Sequence, residues 1–217
     1  MYAPQSKEDS DIFNRFLLVG YKFVQTWEGF VYHMTCRGSR FADGAKRNPN
    51  GEVFMKNRET DEWLKQNQRS TRNFIRKWGH FVKHDALLKP IVPPKYDIGF
   101  VVKNCSYELL YELEPWCSTI YTDWASKGYI DIEQPNTMFD LKDRVKSSVG
   151  NVADNDIVVT FDAKEFTSEQ FNYVAQLSEI LANDEELEVG EFEIGIFKIQ
   201  INSTRTYEEN LINCNRI

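Results

Sequence analysis

The sequence predicts an α/β protein whose residues 96–217 form a small α/β domain with a mixed sheet, and three observations support this. YDIGFVV (96–102), SYELLYELE (106–114) and STIYTD (118–123) read in turn as a buried strand, a short helix stopped by Pro115 and a returning strand, a β-α-β pattern. GEFEIGIFKIQIN (190–202) alternates first on Phe192, Ile194 and Ile196, then on Phe197, Ile199 and Ile201, which requires a bulge or tight turn near Gly195. Charge is divided unevenly: residues 1–95 hold 17 Lys+Arg against 10 Asp+Glu and residues 96–217 hold 9 against 23, so +7 and −14 make up the net −7. That asymmetry predicts a front half that meets something anionic and a back half that keeps the molecule soluble.

The elements follow in order. Asp9 or Ser10 can cap a helix whose apolar residues Ile12, Phe13, Phe16, Leu17 and Val19 have helical spacing, and Gly20 supplies a left-handed stop. YKFVQTW (21–27) and FVYHMT (30–35) read as strands separated by Glu28-Gly29. RGSRFADGAKRNPNGE (37–52) has the composition of a loop able to fold over a ligand. Thr60 opens a helix to Trp78, with Trp63, Leu64, Phe74, Ile75 and Trp78 as apolar anchors and Lys65, Arg69, Arg72, Arg76 and Lys77 as a basic, solvated face. KPIVPPKYD (89–97) has three prolines and coincides with the change in charge, so it marks a domain boundary. The expected organisation is residues 1–50, then a basic helix and linker over 51–90, then 96–217.

Further strands are expected at YIDIE (129–133) and DIVVTFD (156–162), followed by a capping box from Thr167 to Gln170 that opens a helix with Phe171, Val174, Leu177 and Leu181 on one face. Cys36, Cys105, Cys117 and Cys214 form no C-x-x-C pair, which fits a reducing compartment, with Cys105 and Cys117 as small buried apolar residues. No apolar run approaches the ~20 residues of a membrane span, and the first residues lack a signal-peptide pattern, so the expected location is cytoplasmic.

One segment concentrates chemistry. Glu8-Asp9 stands at a helix start, followed by Asp11 and Arg15, then Gly20-Tyr21-Lys22, then Val31-x-His33, then Ser39 between Arg37 and Arg40. Taken bare, the two acids serve as capping and dipole-complementing groups, and a lone strand histidine is structural. As an ordered set over residues 1–45, they resemble the C-terminal half of the catalytic domain of family 2 glycosyltransferases, which have the GT-A fold. The resemblance implies an incomplete C-terminal half of such a nucleotide-sugar transferase domain, with the basic helix and the acidic α/β domain appended.

It further implies inverting transfer of a sugar from a nucleotide-sugar to a glycan or other hydroxyl acceptor. Asp9 is then the general base, and Glu8 orients the helix start or contacts the acceptor. His33 is either a ligand of a divalent metal (Mn or Mg) or a direct diphosphate contact, while Arg37, Ser39 and Arg40 close over the diphosphate. The family's donor-binding β-α-β half and its metal-carrying Asp-x-Asp have no counterpart: Asp9-Ser-Asp11 occupies the helix start, and Asp154-Asn-Asp156 precedes a strand. Met1 therefore reads as an internal methionine, the chain as a fragment inactive alone and completed by a missing N-terminal half, and residues 1–50 as its less stable part with apolar surface exposed.

A different class remains open, an interaction or nucleic-acid-binding module with Arg69, Arg72, Arg76 and Lys77 on phosphates, against which the acidic back half argues. His80 and His84 have i, i+4 spacing without a third ligand at motif distance, which favours a solvated or dipole-complementing role over zinc. Trp116 reads as core packing or as a wall of a sugar subsite.

Overall fold

In a computed structural model of the chain, the structure describes residues 1–2, 6–24, 26, 28–29, 46–47, 53–54, 61–124, 126–184 and 187–212. The helices are α1 (Glu8–Leu18), α2 (Asp61–Trp78), α3 (Tyr107–Leu113), α4 (Lys127–Glu133), α5 (Leu141–Arg144), α6 (Ser168–Asn183) and α7 (Glu209–Ile212). The strands are β1 (Lys46–Arg47), β2 (Val53–Phe54), β3 (Ile98–Lys103), β4 (Thr119–Thr122), β5 (Val145–Ser147), β6 (Ile157–Asp162), β7 (Gly190–Ile194) and β8 (Phe197–Ile201). β1, inside the segment expected as a loop, pairs antiparallel with β2, just past its end, as a separate ladder.

The class is α/β and the sheet is mixed: six strands in the order β5-β4-β3-β6-β8-β7. The first four of that order run parallel, and β8 and β7 close one edge as an antiparallel hairpin around Gly195-Ile196, the tight turn required by the change of phase. β3 lies at the centre, with Phe100 opposite Ile120 on one side and Val159 on the other. A parallel strand covered on both faces must be apolar throughout, which is why Ile98, Phe100 and Val102 form the middle of the core. Phe100, Leu110, Ile120, Ile157 and Leu141 are fully buried; each contributes roughly 1.5–3 kcal/mol by the area it removes from water. Gly99 is the exception on this strand: a Cβ there would lie 2.2 Å from the Asn155 Oδ1, so only glycine lets the β3 backbone pass that amide.

α6 is the helix expected from its sequence. Thr167 caps it, the Thr167 amide donates to Gln170 Oε1 at 3.0 Å, and Val174, Leu177 and Leu181 are buried on the sheet. A smaller core of Phe74, Trp78 and Leu211, with Tyr2, Leu18 and Val92 against it, joins α1, α2 and α7.

Three local expectations are corrected. Residues 129–133 are helical within α4: Tyr129 and Glu133 stand at i, i+4 and both turn inward, and this pairing overrides the apparent alternation of Ile130 and Ile132. Among the described residues Tyr21 to Val24 are not a strand, and Tyr21 donates its amide to Phe16 O at 2.9 Å; residues 25, 27 and 30–35 lie outside the described residues. α1 begins at Glu8 with Lys7, not Asp9 or Ser10, at the cap position, although Gly20 does end it in the left-handed region at φ +92°. No helix among the described residues is long and apolar enough to cross a membrane.

Candidate functional site

α1 starts without a side-chain cap: Ser6 and Lys7 lie at φ 83° and 77°, and the first turn carries Glu8, Asp9 and Asp11. Acids at that position complement the helix dipole. Glu8 and Asp9 are exposed, so the predicted general base has open access to solvent. Asp11 is 5% exposed and collects three hydrogen-bond donors and one ion pair. Its Oδ1 accepts from Lys77 Nζ at 2.7 Å, Trp78 Nε1 at 2.8 Å and the Tyr2 hydroxyl at 3.1 Å, and its Oδ2 meets Arg15 Nε at 3.1 Å. Asn14, three residues on and so on the same face, is buried beside it. The apolar stripe Ile12, Phe13, Phe16 and Val19 is exposed, with Phe13 edge-on to Phe23 and Phe16 tilted on Tyr21.

His33, Arg37, Ser39 and Arg40, the residues expected to meet the metal and the diphosphate, lie outside the described residues. Among the described residues, no three His, Cys, Asp or Glu side chains converge as a metal site.

The basic face of α2 is solvated only at its start, where Lys65 is exposed. Arg72, Arg76 and Lys77 are buried, which corrects the expectation of a solvated face and removes these three side chains from contact with phosphates. Arg76, 2% exposed, donates to both oxygens of Glu114 and, at 2.6 Å, to Glu133. Arg72 donates to Glu133 at 3.0 Å, to the Tyr129 hydroxyl at 2.8 Å and to Tyr111 O, and its guanidinium stacks 3.6 Å from the Tyr111 ring centroid. Arg144 reaches Glu114 Oε1 at 2.6 Å and donates to Glu114 O and Cys117 O.

Three guanidiniums thus face two carboxylates, and the excess charge is met by carbonyls at the C-terminal end of α3 and the turn after it, the negative end of a helix dipole. Burial alone would raise the Glu114 carboxyl, but Arg144 and Arg76 outweigh it and hold it at about 2. The function of this cluster is adhesion: it joins α2, the Glu114–Trp116 turn, α4 and α5.

A second cluster, absent from the sequence reading, lies at the carboxyl ends of the parallel strands. β3 and β6 are neighbours there while the chain leaves β3 toward β4 on the other side, the kind of switch point where open α/β sheets form a crevice. Asn104, left-handed at φ 52°, donates its amide to Asp123 Oδ2 at 2.7 Å and its side chain to both oxygens of Asp162. Hydrogen bonds from the Lys164 amide and Asn104 lower the Asp162 carboxyl. The sequence signal is an Asn or Asp at the end of three strands, Asn104 after β3, Asp123 after β4 and Asp162 closing β6, which is also what turns look like.

His80 is 1% exposed, with Nδ1 2.5 Å from Phe81 O and its ring beside Phe74 and Trp78. Burial drives it down to about 4, against the pull of that backbone hydrogen bond. Cys105 and Cys117 are buried free thiols, and Trp116 packs edge-on between Phe81 and Phe171, a core position. Compared with family models, curated proteins and solved structures, the chain gives no match.

Proposed function

We propose that the chain carries the acceptor side of an inverting, family 2-like glycosyltransferase with Asp9 as general base. The observation that carries the reading is the pair Glu8-Asp9, exposed on the first turn of a helix whose opposite face is pinned by Asp11. A sugar or other hydroxyl is a weak nucleophile at neutral pH, so its proton must leave as the new bond forms. The acceptor oxygen attacks the anomeric carbon, the bond from that carbon to the diphosphate oxygen breaks, and the nucleoside diphosphate departs with the electron pair. The hydroxyl proton passes to the Asp9 carboxylate, and attack from the face opposite the leaving group inverts the anomeric centre.

His33, Arg37, Ser39 and Arg40 belong to the proposal as the donor-side contacts, with manganese or magnesium as the ion, on the strength of the resemblance alone. Donor binding needs a nucleotide-binding half, so the chain is expected to turn over only with such a half supplied in trans. The test is release of nucleoside diphosphate from UDP-, GDP- and dTDP-hexoses in MnCl2 with an alcohol acceptor, with the separately expressed nucleotide-binding half of a family 2 glycosyltransferase added in trans, comparing the wild type with Asp9→Asn. Loss of a positioned base lowers the rate about 10²–10⁴-fold. Equal rates in the two proteins remove Asp9 from the mechanism.

A further inference from the structure

We infer that Asp11 is the positioning residue for Asp9, and that Lys77 and Trp78 at the end of α2 are the fixed points it acts through; this rests on the transferase reading above. Successive residues of a helix are turned by about 100°, so two residues separate side chains by about 200°: with Asp11 directed inward, Asp9 must point outward. The orientation of the exposed carboxylate is therefore set by where Asp11 is held. That hold is specific. Lys77 Nζ and the Trp78 indole both donate to the same oxygen, Oδ1, at 2.7 and 2.8 Å, while Arg15 takes Oδ2 from within α1. Ser6, one turn before Asp9, adds a second tie by donating to Asn67 Oδ1 of α2 at 2.8 Å.

Area burial cannot replace these bonds. The apolar stripe Ile12, Phe13, Phe16 and Val19 is exposed, so at the start of the helix rotation about its axis is resisted by the polar contacts of Asp11, and at its end by Leu18 packed on the small core. The indole is itself fixed, packed with Phe74 and Leu211 in the small core. α2 in turn is locked through Arg72 and Arg76 to Glu114, in the turn that leads into β4. A rigid path thus runs from the centre of the protein to the first turn of α1.

The experiment compares Asp9→Asn, Asp11→Asn, Lys77→Met and Lys77→Arg in the nucleoside diphosphate release assay, with thermal melts and the Trp78 indole N–H resonance as checks on folding. Misplacing a base by about 1 Å costs up to about 10²-fold. Folded Asp11→Asn and Lys77→Met should therefore lose tenfold or more in kcat, with the KM for the nucleotide-hexose within twofold, and Lys77→Arg should recover most of the loss. A folded Lys77→Met or Asp11→Asn with wild-type kcat overturns the positioning role while leaving Asp9 in place if Asp9→Asn is dead. With the nucleotide-binding half present in trans, a wild type that cleaves none of the donors, or one matched by Asp9→Asn, overturns the transferase reading and this inference together. If Asp11→Asn fails to fold, the Lys77 pair decides alone.

Discussion

Helices α1 and α6 both carry an apolar stripe, and they are held in opposite ways. α6 opens with a closed capping box and lays Val174, Leu177 and Leu181 on the sheet. α1 opens from a left-handed lysine with no side-chain cap, leaves Ile12, Phe13, Phe16 and Val19 between 38 and 54% exposed, and buries Asp11 and Asn14. Hydrophobic area, which has no direction, sets the place of α6; hydrogen bonds and ion pairs, which have direction, set the place of α1. The difference teaches that periodicity fixes the kind of element, while the face that turns inward depends on the partners the rest of the fold offers.

The strongest test of this contrast is paired truncation. Leu181→Ala should cost about 2–5 kcal/mol in urea unfolding, because a fully buried leucine leaves a cavity. Phe13→Ala, on the exposed stripe, should stay within about 0.5 kcal/mol. Equal losses would mean that α1 is held by area after all.

Acid should separate the two helices next. His80 lies against the Trp78 ring that holds Asp11, and its imidazole is down at about 4 in the folded chain against 6.5 when free. Above pH 6.5 neither state binds the proton; below it the unfolded chain does and the folded chain does not, so stability falls progressively until about pH 4. The loss amounts to about 3 kcal/mol. Glu114 responds later, since its stabilisation is present above about 4.5 and is lost only as pH falls toward 2. Hydrogen exchange between pH 7 and 4 should therefore show α1 amides losing protection before those of α6. In His80→Phe the drop across this window should shrink by the same amount; an unchanged drop assigns it to other groups.

The smallest effects lie at the helix starts and should have opposite signs. Thr167→Ala removes a working cap and should cost about 1 kcal/mol. Lys7→Gly relieves a left-handed lysine and should gain about 0.5–1 kcal/mol. Thermal melts of the two variants moving in the same direction would show that the helix starts are alike in energy despite their geometry.

Legibility followed the same divide. β3, β4, β6 and α6 could be read because local pattern and burial agree: the apolar run from Ile98 to Val102 and the stripe from Val174 to Leu181 face what their chemistry asks for. The basic face of α2 was misread because nothing local distinguishes a guanidinium facing water from one facing a carboxylate. Its partners Glu114 and Glu133 lie 38 to 61 residues away in sequence. α4 was misread for the same reason, its inward i, i+4 pair being selected by Arg72 and Arg76. β5, three residues long, carries too little pattern to read. At the candidate site the acids of α1 were legible as a motif, but the anchor on Asp11 was not, since it depends on a lysine and a tryptophan 66 and 67 residues on.

The seam around Glu114 decides where this chain can be divided. A cut in the proline-rich stretch would put two acids in one piece and two of the three bases that neutralise them in the other. Neither piece could satisfy its own interior, because an unpartnered carboxylate or guanidinium is far more costly inside a protein than in water. Such pieces are expected to complement one another when mixed, each serving as the other's counterion.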